Sequence, residues 1–104
     1  MLCTLVPVQK TLSEAGIAVP EELQVICKTL DECRIDFECE KVEVYYDSMV
    51  GHLVITLFCE DIIMEYGRTH PFFEAIKRSC AVEFSENDGL PVVTITYSGF
   101  QNKN

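Results

Sequence analysis

"ICKTLDECRIDFECEKVEVYYD", residues 26–47, changes its hydrophobic period in mid-run. Leu23, Ile26, Cys27 and Leu30 recur three and four apart, the buried stripe of an amphipathic helix, with Cys33 at its edge. After Ile35 the period falls to two. In "DFECE" Phe37 and Cys39 point one way and Asp36, Glu38 and Glu40 the other; in "KVEVYYD" Val42, Val44 and Tyr46 have the opposite parity. The face must switch near Glu40–Lys41, through a bulge or because 36–40 is a loop. A helix followed at once by strands makes this an α+β chain rather than a bundle or a sandwich.

Working toward the N-terminus, Pro20 opens this helix, and Glu21 and Glu22 lie at its positive end. An earlier helix is expected from Leu5, Val8, Leu12 and Ala15, with Pro7 in its first turn and Gly16 ending it. Working toward the C-terminus, "DSMVG" reads as a turn and "HLVITLFC" as a central strand apolar on both faces. In "EDIIMEYGRTHPFFEAIKRS", Pro71 restarts a helix carrying Phe72, Phe73 and Ile76. "CAVEFS" and "PVVTITYS" are strands joined around the turn "ENDG". The expected architecture is two N-terminal helices, then a ββαββ-like, mostly antiparallel sheet of about four strands with helices on one face. Its 104 residues fit a single domain, 1–104.

Seventeen Asp and Glu against eight Lys and Arg give a net charge of −9. Such a domain repels phosphate backbones and anionic membrane surfaces, which excludes direct nucleic-acid or membrane binding. No signal peptide or membrane-spanning run is visible, so the expected compartment is cytoplasmic, where thiols stay reduced.

Six cysteines invite a metal or disulfide reading. Zinc thiolates usually come in pairs two to four residues apart, and none occurs here. Six steps along a helix leave Cys27 and Cys33 about 120° apart around its axis. Cys27, Cys59 and Cys80 sit in apolar runs and are expected to pack as small hydrophobes. Cys33 and Cys39 lie among carboxylates that would dull a thiol. His52 is expected in a solvated turn, and His70 before a helix. No phosphate loop, HExxH, nucleophile elbow or calcium loop is present, so neither an enzyme nor a cofactor is expected.

The acids cluster. Asp31, Glu32, Asp36, Glu38, Glu40, Glu43 and Asp47 fall within one short stretch. If 36–40 is extended, Asp36, Glu38 and Glu40 form a row spaced about 6.6 Å apart, twice the strand rise. Such a row suits a protein partner with a basic surface, as in an inhibitor or immunity protein that blocks a nucleic-acid-binding groove. The competing expectation is a homodimer made through "PVVTITYS", taken as an edge strand with no charge to protect it. A small-ligand pocket or a thiol enzyme ranks behind both.

Overall fold

The computed structural model describes residues 4–36, 39–60, 76 and 80–100. Helices α1 (Leu5–Glu14) and α2 (Glu21–Asp36) precede strands β1 (Cys39–Asp47), β2 (His52–Cys59), β3 (Cys80–Asn87) and β4 (Leu90–Tyr97). The strands form one sheet in the order β1-β2-β4-β3, with every neighbouring pair antiparallel. Helices followed by this sheet make the α+β class the chemistry of 26–47 required.

Both helices end and begin where their residues dictate. At the end of α1, Gly16 adopts φ 74°, and Ile17 N–H donates to the Leu12 carbonyl at 2.8 Å while Gly16 N–H donates to Ser13 at 3.0 Å. That pair of bonds is the Schellman closure, which takes up carbonyls the helix leaves without partners. The carbonyl of Pro20 accepts from Gln24 at 3.1 Å, starting α2 one residue before Glu21.

The predicted stripe of α2 is the buried one: Leu23, Ile26, Cys27 and Leu30 all lie in the core with Val8 and Leu12 of α1. They meet the sheet face carrying Leu53, Ile55, Leu57 and Cys59 of β2 and Val93, Ile95 and Tyr97 of β4. Ile76, helical, joins the same core, as the run after Pro71 led one to expect; the rest of that run and His70 lie outside the described residues. Cys27, Cys59 and Cys80 are buried, as small hydrophobes should be.

The parity switch in β1 is a bulge. Cys39 pairs with Cys59 and Lys41 with Phe58, so β1 spends an extra residue at Glu40. The bulge lets Cys39 and Val42 both face the core despite their spacing. At the other end of the sheet, Asp88 and Gly89 take φ 54° and 81° between the paired Asn87 and Leu90, a two-residue turn whose positive φ values match the twist of the strands.

Two expectations fail. Asp36 is not extended: α2 runs through it, and β1 starts only at Cys39. "PVVTITYS" is not an edge: β4 lies between β2 and β3, hydrogen-bonded on both sides. Its lack of charge belongs to an interior strand, while the true edges carry Lys41, Glu43 and Asp47 on β1 and Glu83 and Glu86 on β3. Pro91, which has no N–H to give, falls just beyond the last β2–β4 pair, Phe58 with Val92.

Candidate interaction surface

Of the clustered acids, Asp31, Glu32, Glu43 and Asp47 have described side chains, and these serve different parts of the molecule. Asp31 works inside the fold. Its Oδ1 accepts from the Thr4 backbone N–H at 2.8 Å and from Thr4 Oγ1 at 2.6 Å. Thr4 is the N-cap of α1 and is wholly buried, so a carboxylate from α2 caps the positive end of α1 across 27 residues of sequence. Asp47 holds a turn: its Oδ1 accepts from Met49 N–H at 3.0 Å, and its carbonyl accepts from Gly51 N–H at 2.8 Å. Glu43 pairs with Lys41 at 3.1 Å.

Glu32 is exposed on α2. Asp36 ends that helix, Glu40 stands at the bulge of β1, and Glu38 lies outside the described residues. Helix and strand separate Asp36 from Glu40, so the expected row of three on one extended face does not form.

The register assembles a different surface. Away from the core, three rows cross the sheet: Lys41–Phe58–Val92–Ser85, Glu43–Thr56–Thr94–Glu83 and Tyr45–Val54–Thr96–Ala81. Both described helices pack on the opposite side, where the buried positions of β2 lie. This outer face mixes apolar and hydroxyl side chains along the two central strands, where Val92 is buried and the others are half-buried, and Tyr45 is 63% exposed at one edge. Each edge carries a carboxylate. Glu43 and Glu83 share a row, separated by three interstrand spacings, about 14 Å. On the β1 edge beside Glu43, Lys41 Nζ lies 5.1 Å from the Phe58 ring centroid, a cation already held over an aromatic face.

Over all described residues the exposed charge is predominantly negative. Exposed carboxylates at Glu14, Glu21, Glu22, Glu32, Glu43, Glu60, Glu83, Glu86 and Asp88 stand against Lys10, Lys28 and Lys41 among the described residues.

Two titratable groups among the described residues are shifted away from their ordinary values. Burial pushes the Cys80 thiol up to about 12, with the charge of Glu22 adding to it. Burial also pushes the Tyr97 phenol up to about 12, helped by its hydrogen bond to Glu22, by the Glu22 charge and by Cys80. Both groups are thereby held neutral, the opposite of what a nucleophile needs. They lock the start of α2 to the end of the sheet, where Phe100 packs edge-on against Tyr97 at 5.2 Å and Tyr46 at 5.7 Å. The chain reaches Phe100 through Gly99, where any Cβ would run into the Tyr97 phenol.

Among the described residues, no group of three or more His, Cys, Asp or Glu is placed to hold a metal ion, and no helix is long and apolar enough to cross a membrane. The groove between the helices, lined by Leu5, Gln24, Val25 and Lys28, is open rather than enclosed. Comparison of the chain with protein-family models, curated proteins and solved structures finds no match.

Proposed function

We propose that this domain acts by binding a protein with a basic surface, as a cytoplasmic inhibitor or immunity protein occupying a nucleic-acid-binding groove would, and that the outer sheet face makes the contact. One observation carries the reading: an apolar and hydroxyl strip bordered at both edges by a carboxylate, Glu43 and Glu83, on the face opposite the described helices. Apolar centres with charged rims are how protein interfaces divide affinity from steering. The surplus of exposed acids speeds encounter with a basic partner and repels the nucleic acid that partner would otherwise hold.

A second copy fits the same face less well. Two such sheets stacked about a twofold axis along their strands would set Glu43 of one over Glu83 of the other, and like charges directly opposed are unfavourable. The edge-strand route to a homodimer through β4 is closed, since β4 is interior.

The test is capture from lysate at low salt on the immobilised domain, followed by elution with duplex DNA and then with salt. The expected result is a basic protein released by DNA from the wild type, retained by Glu14→Lys plus Glu32→Lys on the helices, and lost from Glu43→Lys plus Glu83→Lys on the sheet. Equal binding by both double variants removes the sheet face from the reading. Absence of any DNA-released protein removes the reading itself.

A further inference from the structure

Cys39 and Cys59 stand directly opposite each other where β1 begins and β2 ends. Opposed residues of an antiparallel pair point to the same side, and here that side is the core: Cys59 belongs to the buried cluster and Cys39 packs against it. Opposed Cα atoms lie about 4.5–5.5 Å apart, inside the roughly 4.4–6.8 Å that a disulfide spans. No other described cysteine is so placed. Cys80 stands opposite Tyr97, and Cys27 is on α2.

Two further features give the pair unequal roles. Cys39 is half-buried whereas Cys59 is 1% exposed, so a reagent reaches Cys39 first. The bulge follows Cys39 at once, interrupting the ladder between it and Lys41. A bulge bends its strand locally, which gives Cys39 the freedom to approach a sulfur across the ladder. Both are thiols, with Cys39 Sγ donating to the Lys41 carbonyl at 3.4 Å and Cys59 Sγ to the Leu57 carbonyl at 3.9 Å. Neither of these two contacts spans the pair.

We propose that Cys39 and Cys59 form a two-thiol modification site that reacts with small-molecule disulfides and closes to a cross-strand bridge. The Cys39 thiolate attacks one sulfur of the reagent, forming a mixed disulfide and expelling one thiolate, which takes up the proton Cys39 lost. Cys59 gives its proton to solvent and attacks the Cys39 sulfur, and the second reagent thiol leaves with a proton. The protein is oxidised by two electrons and the small disulfide is reduced to two thiols. Such a site extends the reading of these residues from packing to chemistry, and it is independent of the proposed partner.

The experiment treats the native protein with oxidised glutathione, quenches with acid, and maps thiols and bridges by mass spectrometry. The wild type should lose two thiols and give one Cys39–Cys59 cross-linked peptide, reversed by dithiothreitol. Cys59→Ala should stop at a glutathione adduct on Cys39, and Cys39→Ala should lose the reaction at Cys59. Phenylarsine oxide, which bridges two thiols with loss of water, gives a second reading on unmutated protein: one equivalent should bind and protect both cysteines from alkylation. A stable adduct on wild-type Cys39 with no closure, a bridge to another cysteine, or no reaction in the native state would overturn the proposal.

Discussion

Along β2 the inner residues Leu53, Ile55, Leu57 and Cys59 are at most 1% exposed, whereas Val54, Thr56 and Phe58, each one peptide bond away, are only half-buried. Both sets share one strand and one pair of neighbours, β1 and β4. The difference lies in what each face meets. The inner face meets helices that supply Val8, Leu12, Leu23 and Leu30, and the outer face bears hydroxyls and edge carboxylates. Stability is therefore concentrated on one side of a single sheet, and the other side is left to vary its chemistry at little cost to the fold.

The largest effect that separates the faces should come from Leu57→Ala, which leaves a cavity against the helices and should cost about 2–5 kcal/mol. Thr56→Ala, its immediate neighbour, should stay within about 1 kcal/mol. Urea midpoints at unchanged slope measure both, and comparable losses would break the contrast between faces. Next comes Asp31→Ala, which strips the acceptor from two donors of wholly buried Thr4 and should cost about 1–3 kcal/mol. Glu32→Ala, one residue along α2 and exposed, should cost under about 0.5 kcal/mol; equal effects would deny Asp31 its capping role. Gly99→Ala should cost about 1–3 kcal/mol by forcing Tyr97 and Phe100 apart, read as lost near-ultraviolet tyrosine dichroism with the helical signal intact.

The smallest effect is an alkaline one. Cys80 and Tyr97 have folded-state values near 12, raised from ordinary values of 9.0 and 10.0. The native state therefore holds protons that the unfolded chain releases, and stability falls as pH rises from about 9 toward 12. Tyr97→Phe should make that fall shallower, and in the wild type one tyrosine of the four should ionise late by phenolate absorbance. Four coincident ionisations would show that the inner face does not shield this end of the sheet.

Much of this arrangement was legible in the residues. The stripe Leu23, Ile26, Cys27 and Leu30, the parity switch at Glu40–Lys41 and the Asp88–Gly89 turn are local patterns with local causes, and each appears where its chemistry puts it. Asp36 was misplaced because an alternating run fits a strand and the polar end of a helix equally, and α2 extends to include Asp36 before β1 begins at Cys39. "PVVTITYS" was misplaced as an edge strand for a more instructive reason. "PVVTITYS" carries no charge because both of its edges are paired, and the same absence reads as vulnerability only if the strand is assumed to be outermost. Charges on the β1 and β3 runs were the available signal. The role of Asp31 and the alignment of Glu43 and Glu83 in one row across four strands depend on contacts far apart in sequence, which no local period encodes.

The interior position of β4 has a consequence for the order in which the chain takes shape. Synthesis delivers β1 and β2 first, and they meet as neighbours while the far edge of β2 stays unsatisfied. That edge waits through β3, which comes next yet never touches it, until β4 arrives and inserts between them. A nascent chain halted before Leu90 thus presents an apolar strand with open hydrogen-bonding groups, a template for association with other unfinished chains. The final strand does more than extend the sheet: its arrival ends the interval in which a chaperone would have most to protect.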